Sequence, residues 1–205
     1  MVFVVEHVRR PLDDRLLRPM FEARKHVFVD LLKWDVPVLE GRFEMDQFDD
    51  DRAVYILITD PHGTHLGSAR LLETETPHIL DTLFRDLCAG APPKGEQVLE
   101  ITRFCIAREQ RAVMRLAIRN SLVSALVDYA LWRGVVAYTG VAEMGWLSQI
   151  LAFGWDCRPL GTPHVHNGRM LGALRINISD RTPAQLTANR IYSPTDLKIL
   201  EPCAA

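Results

Sequence analysis

QVLEITRFCIAREQRAVMRLAIRNSLVSALVDYALW, residues Gln97 to Trp132, joins an extended apolar run to a long periodic one. Gln97 to Ala107 reads as a strand with a mostly apolar body, which gives it a central place in a sheet. From Gln110 to Trp132 the residues Val113, Leu116, Ala117, Leu122, Val123, Leu126, Val127, Ala130 and Leu131 recur at helical spacing and predict one long helix with a continuous apolar stripe. Upstream, RAVYILITD (Arg52–Asp60), the turn signal DPHG and THLGSARLLET (Thr64–Thr74) predict a hairpin over residues 52 to 75, followed by a short helical piece from Ile79 to Leu87. The chain opens on an apolar strand. Asp13 to Leu32 then reads as a helix with Leu16, Leu17, Met20, Phe21, Arg24, Val27, Phe28 and Leu31 near one face, and Pro19 weakens its first half. Downstream, GVVAYTGV is a strand, EMGWLSQILAF a short helix stopped by Gly154, and RMLGALRINIS a closing strand. This order predicts an α/β fold: a mixed, predominantly antiparallel sheet covered by helices.

Composition sets outer bounds. The 205 residues are 48% apolar and 24% charged, with no Ser/Gly-rich linker or repeat, so a single domain over 1–205 is expected, with segment 181–205 peripheral. A net charge of −2 gives no global reason to expect nucleic acid. There is no basic leader followed by a long apolar stretch, and no apolar run of about 18 residues, so neither a signal peptide nor a membrane span is expected. Cys88, Cys105, Cys157 and Cys203 form no C-x-x-C pair and read as reduced thiols, consistent with a cytoplasmic place. His164 and His166 alternate in HVH without an acidic or Cys partner at ligand spacing, so no metal is expected.

The charges are distributed unusually. GRFEMDQFDDDRAVY (Gly41–Tyr55) crowds carboxylates just before a strand, with Phe43, Met45 and Phe48 interleaved among Glu44, Asp46 and Asp49. That interleaving predicts a loop folded inward, with Asp50 and Asp51 left to solvent; a plain solvated face is the alternative. Arg24 lies on the apolar side of the first helix, Arg70 inside a strand, and Glu100 and Arg103 inside the central strand. Charges in such places need partners, because an unpaired buried ion costs several kcal/mol. The three arginines with Asp46, Asp49 and Glu100 form either an architectural ion-pair network or a polar site for a zwitterionic ligand. Arg108, Arg111, Arg115 and Arg119 put cations at the start of the long helix, where they oppose the macrodipole unless an anion sits there; a phosphate or acidic partner is one reading and a solvated stripe the other.

Arg24-x3-Phe28-x5-Trp34, EMDQFD with Asp46 and Asp49, Arg70, and LEITRF with Glu100 and Arg103 together closely resemble the LuxI-type acyl-homoserine-lactone synthases, the bacterial autoinducer synthases, from about residue 3 to residue 177. The resemblance implies a fold related to the GCN5-type N-acetyltransferases. It implies acylation of the amine of S-adenosylmethionine by a fatty acyl group from acyl-carrier protein, then lactonisation with loss of methylthioadenosine, S-adenosylmethionine being a substrate and no cofactor being needed. It further implies catalytic roles for Glu100, Asp46, Arg70 and Arg103, with Glu100 as base directly or through a water. Substrate-binding roles fall to Arg24, Phe28, Trp34, Asp49, Phe104, Thr139, Trp146 and Leu151, and carrier-protein docking to Arg108, Arg111, Arg115 and Arg119. The acyl pocket is expected to draw on Met144 to Phe153, including Leu147. Two departures stand out: AREQRAV lacks the glycine that cradles coenzyme A pyrophosphate in the wider fold, and YTGVAEMGW differs from many family members, although Thr139 falls near a position where a hydroxyl accompanies a 3-oxo substituent. An acyl-coenzyme A N-acyltransferase acting on another amine and a non-catalytic binding domain are the competing readings.

Overall fold

In a computed structural model, residues 1–200 are described. Along the chain run β1 (Val2–Val5), α1 (Leu17–Arg24), β2 (Val38–Leu39), β3 (Phe43–Glu44), β4 (Val54–Thr59), β5 (His65–Glu73), α2 (Ile79–Thr82), β6 (Val98–Ile106) and α3 (Ala112–Arg133). They are followed by β7 (Ala137–Glu143), α4 (Met144–Leu151), β8 (Asp156–Pro159), β9 (His164–His166), β10 (Arg169–Asn177), α5 (Thr182–Ala188) and β11 (Leu197–Leu200). The residues gather into two compact units. The first holds Met1–Leu71, Arg103–Ala125 and the described residues from Thr195 on; the second holds Leu72–Thr102 and Leu126–Pro194.

In the first unit β11, β1, β4 and β5 neighbour one another in that order. β1 pairs antiparallel with β4 and parallel with β11, and β4 with β5 forms the hairpin expected from the sequence. Tyr55, Ile56 and Leu57 of β4 are buried, as are Ala69 and Leu71 of β5. The front half of α3 lies against this surface at Gly67, where an added Cβ would sit 2.7 Å from Ile118 Cγ2 and 3.2 Å from the Cys105 carbonyl oxygen; only glycine permits that approach. Ile118 is the first buried apolar residue of α3. Val113 and Leu116 are 82% and 50% exposed, so the expected continuous stripe is corrected: its first turns face solvent, and Leu131 near its end is exposed too.

The stretch read as one helix from Asp13 to Leu32 is instead α1 followed by a π-helical segment, Lys25–Leu31. Pro19 is the third residue of α1, where a missing N–H leaves no intrahelical bond unmade. Asp14 Oδ1 accepts the N–H groups of Leu16 and Leu17 at 2.8 and 3.0 Å. The wider turns, marked by the Leu32 N–H donating to Val27 O at 2.9 Å, rotate the later residues, so Phe28 is buried while Leu31 is 44% exposed.

In the second unit the order is β6, β7, β10 and β8, with β9 on β10. β6 and β7 are parallel and the other pairs antiparallel, so the mixed, mostly antiparallel α/β reading holds. The rear half of α3 is tied to β7 by the Tyr138 hydroxyl, which donates to Leu126 O at 2.8 Å. Leu80, Leu87 and Ala173 form an apolar cluster with Phe84, Val141, Leu160 and Leu171 against it. β8 and β11 were not foreseen; each is four residues long, too short for a hydrophobic period to register. Cys88, Cys105 and Cys157 are free, and burial pushes the Cys105 thiol up to about 12; Cys203 lies outside the described residues.

Candidate active site

The carboxylate-rich loop folds inward in the first unit. Phe43 and Phe48 are buried, and they carry Glu44 and Asp49 inside with them. Arg24, brought to the end of α1 by its helical face, meets both: its Nε donates to Glu44 Oε2 at 2.6 Å, and Nη1 and Nη2 donate to the two oxygens of Asp49 at 2.8 and 2.9 Å. Arg70 on β5 donates through Nη1 and Nη2 to the two oxygens of Asp46 at 2.6 and 3.0 Å, and its Nη1 also lies 2.8 Å from Asp49 Oδ1. Arg103 closes the set, donating to Glu44 Oε1 at 2.9 Å and to Asp46 Oδ2 at 2.7 Å. Three guanidinium groups and three carboxylates therefore cancel in charge, joined largely through paired geometries that suit arginine better than lysine.

Around this ring the neighbours fix its members. Asp49 also accepts the Asp46 N–H at 2.9 Å and the Tyr55 hydroxyl at 3.1 Å, and Asp46 accepts the Phe48 N–H at 2.9 Å. Phe28 and Trp34 stack at 4.7 Å with an interplanar angle of 21°, and the Arg103 guanidinium lies 5.7 Å from the Phe28 ring centre. Burial works against the charged form of Asp49, but Arg24 and Arg70 outweigh it and hold the carboxyl well below its ordinary range. Likewise burial alone would lower Arg24, yet Asp49 and Glu44 hold it above its usual value. Burial first, then the Asp49 charge, pushes the Tyr55 phenol up. Exposure separates the members: the side chains of Arg24, Glu44 and Asp49 are 0% exposed, whereas Asp46 and Arg103 keep 6% and 10%. Arg103 also has φ 49°, a left-handed conformation that a non-glycine residue inside a strand adopts only under constraint.

The structure thus brings together Arg24, Phe28, Trp34, Asp46, Asp49, Arg70 and Arg103. The third carboxylate is Glu44, which the sequence reading had as one of the interleaved acids without giving it a role. Glu100 was expected there; its carboxylate sits fully buried in the second unit, where the Leu80 N–H donates to its two oxygens at 3.0 and 3.2 Å. Thr139, also in the second unit, is the register partner of Glu100. Trp146 is half-buried on α4 with its ring edge-on to Phe153 at 5.7 Å, Leu151 and Phe104 are half-buried, and Leu147 is buried. Arg108, Arg111 and Arg115 are exposed, while Arg119 is half-buried and donates to Asn120 Oδ1 at 2.8 Å. His164 and His166 lie on β9, with His166 Nε2 3.1 Å from Asp86 Oδ2. Among the described residues no helix is long and apolar enough to cross a membrane.

Known proteins resemble this chain in sequence and in fold. The sequence profile of a family described as autoinducer synthase matches residues 11–186. An acyl-homoserine-lactone synthase of Pseudomonas fluorescens is 36% identical over 110 residues, which span 53% of this chain and 56% of that relative. One of Ralstonia nicotianae is 34% identical over 169 residues, covering 80% of this chain and 82% of its own. BjaI, a CoA-dependent acyl-homoserine lactone synthase solved with SAM and isopentyl-CoA, matches 100% of this chain and 95% of its own at TM-score 0.86 and 25% identity. An acyl-CoA N-acyltransferase from Pseudomonas aeruginosa, 16% identical at TM-score 0.58 over 85% of this chain and 97% of its own, shares the fold alone.

Proposed function

The chain belongs to the autoinducer synthase family, acyltransferases of the acyl-homoserine-lactone synthase kind, and we propose that it transfers a fatty acyl group from acyl-carrier protein to the amine of S-adenosylmethionine. The single observation that carries this reading is the neutral ring of three arginines and three carboxylates in the first unit. S-adenosylmethionine offers a sulfonium, an ammonium and a carboxylate, and a site of both signs suits it better than a pocket of one. Asp46 and Arg103, the members that retain exposure, touch the substrate; Arg24, Glu44 and Asp49 position them from behind, and the Phe28–Trp34 stack supplies an aromatic surface for a cationic or planar group.

The amine must shed a proton before it attacks. A free α-amino group has a pKa of about 7.7–8.0, so a carboxylate acting directly or through a water suffices, and Glu100 is assigned that role. The amine lone pair forms the new C–N bond as the C–S bond of the thioester breaks and the thiol leaves. Backbone N–H groups of the strand from Glu100 to Ile106 meet the developing oxyanion, a role supported by the left-handed Arg103 and by a β6–β7 register described over Val98–Ile101. The substrate's carboxylate then displaces methylthioadenosine, an intramolecular step that needs chiefly a folded-back conformation. Trp146, Leu147 and Leu151 are assigned to the acyl chain.

For the donor, exposed Arg108, Arg111 and Arg115 and the absence of a glycine turn in AREQRAV favour a phosphopantetheine arm on an acidic carrier. A second reading, acyl-coenzyme A, is favoured by the match to a CoA-dependent synthase. Offering one acyl chain on each carrier in turn decides between them: lactone formed at least about tenfold faster from the carrier-protein thioester supports the first, and the reverse order establishes the second.

A further inference from the structure

The charged ring of the first unit leans on a group outside it. The Tyr55 hydroxyl, on a residue 1% exposed, donates to Asp49 Oδ1 at 3.1 Å. Oδ1 also meets Arg24 Nη1 and Arg70 Nη1, each at 2.8 Å, and Oδ2 meets Arg24 Nη2 and the Asp46 N–H, each at 2.9 Å. A carboxylate offers about four lone-pair sites, and these five donors use them all. Asp49 therefore has none left for a ligand and acts through what it holds.

What it holds is the acid loop. Asp46 gives its N–H to Asp49 Oδ2 and meets Arg70 and Arg103 with its own carboxylate. Between β3 and β4 the loop carries no helix or strand, so its shape depends on anchors outside it. Two of these come from the sheet. Tyr55 on β4 and Arg70 on β5 are register partners, so their Cα atoms stand about 4.5–5.5 Å apart with both side chains on one face, and both end on Asp49 Oδ1.

The phenol itself is firmly placed. Tyr55 also opposes Val5 of β1, so its strand is paired on both sides, and Phe21 meets its aromatic ring edge-on at 6.0 Å. Arg24, by contrast, stands at the end of α1, where the backbone widens into the π-helical segment. Burial first, then the Asp49 charge, keeps the phenol protonated, so it always donates. The two guanidinium groups neutralise Asp49; the phenol adds direction without charge.

Resting on the reading that the charged ring receives S-adenosylmethionine, we propose that Tyr55 is a positioning residue of that site: its hydroxyl, together with Arg70, fixes Asp49 and through it sets the Asp46 carboxylate and the Arg103 guanidinium to meet the substrate. Tyr55 touches no substrate. It governs the binding of S-adenosylmethionine and has no hold on the donor thioester.

Tyr55→Phe keeps the aromatic ring and removes only the donor. Tyr138→Phe is its match in the second unit, where that buried hydroxyl donates to Leu126 O at 2.8 Å. The test titrates S-adenosylmethionine calorimetrically into the full chain and both variants without donor, and measures initial rates with each substrate varied. We expect Tyr55→Phe to bind S-adenosylmethionine about tenfold more weakly, the size of one hydrogen bond to a charged group, and to raise its KM alike, with the KM for the donor thioester held within about twofold. Tyr138→Phe should leave the affinity for S-adenosylmethionine within about twofold. Unchanged affinity in a folded Tyr55→Phe variant, or an equal loss in Tyr138→Phe, overturns the positioning role and leaves lactone synthesis standing. Should Tyr55→Phe not fold, 3-fluorotyrosine in place of Tyr55 decides: a fluorine resonance that shifts on adding S-adenosylmethionine supports the role, and one that stays in place overturns it. A parental chain that neither binds S-adenosylmethionine nor makes lactone overturns the substrate reading, and the role of Tyr55 falls with it.

Discussion

In the first unit, six buried or nearly buried charges answer one another through bonds of 2.6 to 3.0 Å. In the second, the Glu100 carboxylate accepts a backbone N–H, while the Thr139 hydroxyl and His78 Nε2 are buried with no hydrogen-bond partner among the described residues. A closed set of ion pairs holds its shape before any ligand arrives, so its worth to catalysis is preorganisation. An unanswered buried polar atom costs stability until a partner reaches it. The two regions should therefore fail differently when altered: removing a ring member strands a buried charge, whereas replacing an unanswered atom by an apolar group strands nothing.

The comparison is broken most severely at Asp49. Asp49→Ala takes from buried Arg24 its two-pronged carboxylate and from buried Arg70 one of its two, and we expect a loss of about 3–5 kcal/mol in urea unfolding. A loss below about 1 kcal/mol would show that the ring contributes no rigidity. Next comes Arg103→Ala, at the exposed rim, where turnover should fall about 10²–10³-fold with a smaller change in stability; a folded variant retaining most of the parental rate would remove Arg103 from the site.

Acid titration probes the paired charges without mutation. The folded-state pKa of Asp49 is depressed by Arg24 and Arg70 against its burial, so its contribution is fully present above the unfolded value of about 3.9 and is lost as pH falls below it. Unfolding free energy should drop below about pH 4, less steeply in Asp49→Asn. His65 is the counterpart in the same unit: both ring nitrogens are buried with no hydrogen-bond partner among the described residues, and burial lowers its pKa to about 4. The unfolded chain takes up that proton first, so stability is full above about pH 6.5 and declines as pH falls toward 4. His65→Leu should flatten that window by up to about 3 kcal/mol. An unchanged slope between pH 6.5 and 4 would place the titration elsewhere. The smallest effect is expected at Arg111→Glu and Arg115→Glu, a few-fold rise in the KM for the carrier thioester with little change for S-adenosylmethionine; equal effects on both would argue against docking there.

Much of this was written in the sequence. The run of β-branched and aromatic residues before the DPHG turn and the period of α3 beyond Ile118 fix those elements, and arginines at apolar positions announced that acids must meet them. Glu44 received no role because β3 is two residues long, too short for alternation to reveal which side chains turn inward. No glycine marks the left-handed backbone at Arg103, and nothing local to Glu100 tells that the Leu80 N–H meets its carboxylate, since that depends on how the turn before α2 closes. The exposed first turns of α3 depart from the periodicity because an apolar stripe records which face is apolar and says nothing of how far along the helix that face is covered.

Mass spectrometry of the products made by the purified chain from S-adenosylmethionine and a mixed set of acyl thioesters tests the central claim most directly. The account predicts an acyl-homoserine lactone accompanied by an equal amount of methylthioadenosine. Thioester consumed without methylthioadenosine, or an acylated amine that never closes to a lactone, would contradict it.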